Sequence, residues 1–187
     1  MGKLVVTEFV TLDGVIEDPG GGEKSPYGGW AFKFERGEDG VRFKLDELMA
    51  SDAQLLGRRT YEGFAAAWPA MEETTGEFGK KMNAMPKYVV STTLENPEWN
   101  NTTVIGGIDE VQALKGRYKG DLLVAGSAQL VQSLLAADLV DELRLMVFPY
   151  VVGGGKRLFA DGEPRSLELV EARQAAAVSL VVYRRAG

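Results

Sequence analysis

A chain of 187 residues with 45% hydrophobic and 26% charged residues has the length and composition of one globular domain with a sizeable core. Its net charge of −6 argues against nucleic acid or an acidic membrane surface as the main partner. It has no cysteine and no histidine, which excludes disulfides, thiolate nucleophiles, Ser-His-Asp hydrolysis and metal sites built on those ligands. What remains is carboxylate chemistry, lysine chemistry, or a cofactor that brings its own reactivity. The first residues, MGKLVVTEFVTLDG, lack a signal-peptide core and a small-residue cleavage site. No run approaches the length of a membrane span, so a cytoplasmic protein without a membrane partner is expected.

Leu4 to Thr11, rich in Val, Thr and Phe, predicts a first strand ended by the Asp13-Gly14 turn. Gly20 to Gly40 then carries seven glycines with Tyr27, Trp30, Phe32 and Phe34. These aromatics either line a lid or pocket wall, or pin a long loop to the core. Val41, Leu45, Leu48 and Met49 recur on one helical face and predict a helix over 40–50, with Asp46 bordering that face and Glu47 turned away. Ala53 to Leu56 is a second strand. It ends at Gly57-Arg58-Arg59-Thr60, where Thr60 caps a helix that Pro69 stops. A weakly helical stretch over 72–83 precedes a third strand at Tyr88 to Val90, which ends in Ser91-Thr92, and a fourth at 102–105. Asp109 and Gln112 resemble a capping box for a helix reaching Tyr118.

The stretch 121–159 holds the most information. An apolar strand, Leu122 to Ala125, breaks at Gly126-Ser127, and Leu130, Val131, Leu134 and Leu135 then share a helical face. Asp138 closes that helix, and a strand over 140–147 follows. The strand, Gly turn and helix start thus occur twice, at Gly57 and Gly126, and such a turn presents unpaired N–H groups to a phosphate. Gly153 to Gly155 with Lys156 and Arg157 either holds a substrate phosphate or makes a bulged corner. Two further strands, 167–172 and 178–184, form an antiparallel pair at the end. Alternating strands and helices without a linker predict a single α/β domain over 1–187, with a mostly parallel central sheet flanked by helices. Ligands of such sheets bind beyond the carboxyl ends of the strands, where Asp13, Gly57, Ser91 and Gly126 all fall.

With these residues assembled, the chain resembles the dihydrofolate reductase-like superfamily. It looks most like the C-terminal reductase domain of the bifunctional riboflavin-biosynthesis deaminase–reductase. The resemblance is carried by Thr11-Leu12-Asp13-Gly14, Leu56 to Tyr61, Pro86 to Ser91, Gly126 to Leu130, and Pro149 with Gly153 to Phe159, in the family's order. It implies an NADPH-dependent reductase of a small heterocyclic or carbonyl substrate, similar to the 5-amino-6-(5-phosphoribosylamino)uracil reductase of riboflavin biosynthesis. Dihydrofolate reductase proper and a binding module without turnover are the alternatives. By match, Gly57, Arg58, Arg59, Thr60, Ser91 and Thr92 would hold the adenosine side of NADPH, and Gly126, Ser127, Ala128 and Gln129 its pyrophosphate. Asp13 would be the catalytic carboxylate facing the substrate, with Asp46 as second candidate, and Gly14, Trp30, Phe148 and Gly154 would line the substrate site. The alternating strand over 139–150 and the C-terminal pair predict a sheet edge rich in Val, Leu and Tyr, of the kind that is usually paired, and the resemblance implies a homodimer. The chain departs from the superfamily in having Ala125-Gly126-Ser127 where dihydrofolate reductase has a double glycine. Its aromatic loop 20–40 is also longer than the riboflavin enzyme needs.

Overall fold

A computed structural model describes residues 2–186. Eight strands make one sheet: β1 (Leu4–Thr11), β2 (Ser51–Gly57), β3 (Lys87–Val90), β4 (Thr102–Ile105), β5 (Asp121–Val124), β6 (Glu142–Phe148), β7 (Leu167–Ala175) and β8 (Val178–Arg185). Their order is β4-β3-β2-β5-β1-β6-β8-β7. The first six run parallel and β8 and β7 antiparallel, as the sequence predicts. The helices are α1 (Gly37–Met49), α2 (Arg58–Thr75), α3 (Glu77–Ala84), α4 (Val111–Arg117) and α5 (Ala128–Ala136).

Alternation along β1 divides the core. Leu4, Val6 and Val10 join a cluster with Leu130, Val131 and Leu134 of α5, while Val5 packs with Leu48 of α1 and Tyr61 of α2. A third cluster gathers Trp30, Phe43, Phe148 and Leu180 under the antiparallel strands. Lys87 is fully buried, and its ammonium donates to the carbonyls of Asn83, Met85 and Asn100 at 2.8–3.0 Å. Burial pushes its pKa down to about 8.

Several expectations are corrected. Pro69 lies inside α2, which runs on to Thr75, and Thr60 is in its first turn, the N-cap being Gly57. The segment of the proposed Asp109 capping box is a 3-10 turn with no side-chain cap. The strand β6 is interior, between β1 and β8, so it forms no edge of the sheet. The face of α1 is rotated from the predicted one: Gly40, Phe43, Glu47 and Leu48 are buried, while Val41 is 58% exposed. The loop after β1 is pinned rather than loose. Its buried Asp18 accepts N–H groups of Glu23 and Ser25 on its carboxylate and of Gly21 and Gly29 on its carbonyl. Among the described residues no helix is long and apolar enough to cross a membrane.

Candidate functional site

The sheet order creates a crevice. Pairing between β1 and β5 ends at Val6↔Val124, whereas β1 continues along β6 to Thr11. Beyond Val124 the chain turns through Gly126 and Ser127, joined by a cis peptide, into α5. The neighbouring strand β2 turns into α2 at Gly57, and the two turns touch, Gly57 N–H donating to the Gly126 carbonyl at 3.4 Å. A Cβ on Gly57 would collide with Ser127 Oγ and stand 3.1 Å from its Cβ. Gly126 has φ +79, and a Cβ there would lie 2.8 Å from Thr60 Oγ1. Glycine is thus required at both turns for close approach. Two helix N-termini therefore lie side by side. Ser127 holds the N-cap position of α5, yet neither helix has a side-chain cap bond. Unclaimed N–H groups at two positive helix ends fit an anion such as a pyrophosphate.

The cations around these turns differ in their commitments. Arg58 binds Glu62 at 2.7 Å and Thr93 Oγ1 at 2.6 Å. Arg59 is exposed and has no ion pair or side-chain hydrogen bond among the described residues, which leaves it able to take a phosphate. Ser91 Oγ accepts the N–H groups of Thr93 and Leu94, holding the turn after β3, and Thr92 is exposed beside it. Ala128 is buried in the first turn of α5 and Gln129 is exposed.

The carboxylates fall out differently from the sequence expectation. Asp13 accepts hydrogen bonds from Thr11 Oγ1 at 2.6 Å, Val152 N–H at 3.2 Å and Gly153 N–H at 2.8 Å. These donors, Thr11 first, hold its pKa down at about 2, so it is ionised and has no proton to deliver. It clamps the 150s loop to the end of β1, and the Gly153 to Gly155 corner belongs to that clamp. Asp46 is also ruled out as an acid of the site: it lies on the outer face of α1, 61% exposed and paired with Arg42. The buried acid of α1 is its neighbour Glu47, 2% exposed, bound to Thr7 Oγ1 and Lys44 Nζ at 2.5 Å each, with Oε2 unpartnered. A second acid is buried on β1 beside the crevice, past the point where β5 leaves the sheet. Glu8 is 8% exposed, its Oε1 makes no hydrogen bond, and burial pushes its pKa up to about 8 against the pull of Lys44 and the Gly126 N–H.

The expected substrate residues are mostly structural. Trp30 and Phe148 are fully buried and pack edge-on at 5.2 Å, so neither presents surface to a ligand. Gly154 lies against Tyr27, and a Cβ there would be 2.6 Å from its ring. The carbonyl of Gly14 accepts the Leu158 N–H. The sequence carried a usable sign of Glu8, a lone charge in the middle of an apolar strand. Glu47 had none, because helical periodicity alone set it on the polar side.

The RibD C-terminal domain family model matches residues 2–181. The chain is 31% identical to the uncharacterised protein YyaP of Bacillus subtilis (strain 168), over 97% of this chain and 94% of that one. It is 28% identical to the uncharacterised YwjB of the same organism, over 84% and 82%. Among solved structures it is similar to a putative riboflavin biosynthesis protein from Shewanella sp. PV-4, with a TM-score of 0.76, 20% identity and full coverage of both chains. It is also similar to dihydrofolate reductase from Enterococcus faecalis complexed with NADP(H), with a TM-score of 0.63, 16% identity, and 100% and 98% coverage.

Proposed function

Given that this chain belongs to the RibD C-terminal domain family, we propose that it is an NADPH-dependent reductase of a small heterocyclic or carbonyl substrate. One observation carries the reading: the paired, uncapped N-termini of α2 and α5, brought together at two glycine turns that touch. The turns at Gly57 and Gly126 would receive the pyrophosphate, and Arg59, the uncommitted cation, the phosphate that distinguishes NADPH from NADH. The dihydrofolate reductase relative was solved with NADP(H), which agrees with this choice. A bound nicotinamide supplies the hydride. The protein's share is to hold both reactants in register and to manage the proton.

Calorimetric titration with NADPH and NADH tests the cofactor. A charge-assisted contact from Arg59 is worth roughly 1.5–3 kcal/mol, about tenfold to a hundredfold in affinity. NADPH should therefore bind more tightly by that factor, and Arg59→Ala should erase the difference. Equal affinities in the wild type would refute the assignment. Glu47 gives a second reading some weight, dihydrofolate reductase proper, since its unpartnered Oε2 could accept a hydrogen bond from the amino group of a pterin. Following NADPH absorbance with pterin, pyrimidine and carbonyl substrates separates the two. Binding without any turnover would leave a binding module.

A further inference from the structure

An acid inside a central strand is ordinarily paired or hydrogen-bonded. In Glu8 one carboxyl oxygen, Oε1, is buried without a partner, and its place in the sheet explains why. On one side β6 covers it through Leu145. On the other side β5 has already left the sheet after Val124, and the Gly126 N–H comes beside the carboxyl instead. The charged groups that act on it are Lys44 and Glu47 of α1, the first drawing it towards ionisation and the second opposing it. Both are already engaged with each other and with Thr7, so neither forms an ion pair with Glu8. Of the other carboxyls, Asp13 is held by three donors, Asp46 pairs with Arg42 on the outside of α1, and Glu47 pairs with Lys44 through Oε1 while its Oε2 has no partner. With no histidine or cysteine in the chain, Glu8 is the carboxyl beside the crevice that is buried and has neither an ion pair nor a side-chain donor among the described residues.

We propose that Glu8 is the proton donor of the site, placed beside Gly126 to protonate the heteroatom of a C=O or C=N group as its carbon receives hydride. This rests on the reductase reading above. The Glu8 O–H bond breaks, the π pair of the C=O or C=N bond takes the proton as a new O–H or N–H bond, and the carboxylate left behind is reprotonated from solvent. The substrate is reduced by two electrons and the nicotinamide is oxidised by two. Glu8 changes only its protonation, so the proton consumed overall comes from water.

Carboxyl NMR of glutamate-labelled protein tests this without turnover. One resonance should titrate near pH 8 and be missing in Glu8→Gln. Adding NADP+ should lower that midpoint, because a cationic ring beside the carboxyl favours its ionised form, whereas NADPH should not lower it. Calorimetry run in parallel separates the failures. If neither nucleotide binds, the reductase reading falls and this assignment with it. If they bind and the midpoint does not move, only the assignment falls. In NADPH oxidation across the substrate panel, Glu8→Gln should keep NADPH affinity and lower kcat by about 10²–10⁴-fold. The wild-type rate should fall above pH 8, and the variant should lack that limb. An unchanged kcat in Glu8→Gln overturns the proposal, and a wild type that binds NADPH but reduces nothing sinks the reductase reading together with it.

Discussion

Glu8 and Asp13, on β1 and just past its end, titrate in opposite directions, and stability must follow both. The folded pKa of Glu8 is raised from 4.5 to about 8, so the native state disfavours its charge. That cost is absent below pH 4.5, grows as pH rises, and is complete above 8, reaching on the order of 3 kcal/mol at pH 7. Asp13 is lowered from 3.8 to about 2, so its contribution is present above pH 3.8 and lost as pH falls through 2. Urea unfolding should therefore show wild-type stability declining from about pH 5 to pH 8. Glu8→Gln, which never ionises, should flatten that decline and be the more stable protein at pH 8. A variant with the same slope as wild type would contradict the buried, protonated Glu8. Lys87 acts in a separate window, its cost relieved only between pH 8 and 10.5.

At the scale of elements, the contact between the two glycine turns invites a paired substitution. Gly57→Ala should drive a methyl group into Ser127, spread the N-termini of α2 and α5, and weaken NADPH binding by at least about tenfold. Gly57→Ala combined with Ser127→Gly removes the opposing side chain and should recover part of the loss. No recovery would mean the turns do not act as a unit. This double turn was legible in the sequence because the strand, glycine and helix start occur twice, the first copy followed by Arg58 and Arg59. So were the strands: β1 and β4 fall on their predicted residues, since alternation and β-branched residues act locally. Helix α1 was misread because Glu47, a charge, is buried, and an amphipathic pattern places charges outside. Its burial depends on Thr7 and Lys44, a partnership no periodicity encodes. Pro69 misled for a related reason, since proline weakens a helix without always ending it. Asp13 was found as a residue but not as a clamp, because its partners, Val152 and Gly153, lie far along the chain.

For the whole molecule, the sheet has two edges, and they are unequal. The β4 edge is four residues long. The β7 edge has nine residues and exposes Leu167, Leu169 and Val170 at 39–54%, with a register shift between Leu169 and Glu171. Apolar edges of that length are ordinarily covered. We propose that a second copy of the chain covers this one. Light scattering at micromolar concentration should give twice the 20.3 kDa of one chain. The double substitution Leu169→Lys with Val170→Lys should halve that mass, and a wild-type value of one chain would dismiss the pairing.

The place of β1 between β5 and β6 has a further consequence, for the order in which the chain can fold. Leu4 pairs with Leu122 and Val5 with Glu142, so β1 waits for partners more than a hundred residues further along the chain. Such distant closure is slow, and an unpartnered strand such as Leu-Val-Val-Thr-Glu-Phe-Val is prone to pair with other chains meanwhile. In the unfolded chain Glu8 has an ordinary pKa and is ionised, and a charge inside an apolar strand acts as a gatekeeper against aggregation. The same residue that weakens the native state at neutral pH would then protect the route to it. Glu8→Gln should refold from urea with a lower soluble yield than wild type, increasingly so at higher protein concentration, although its native form is the more stable. Equal yields across concentrations would remove that guarding role.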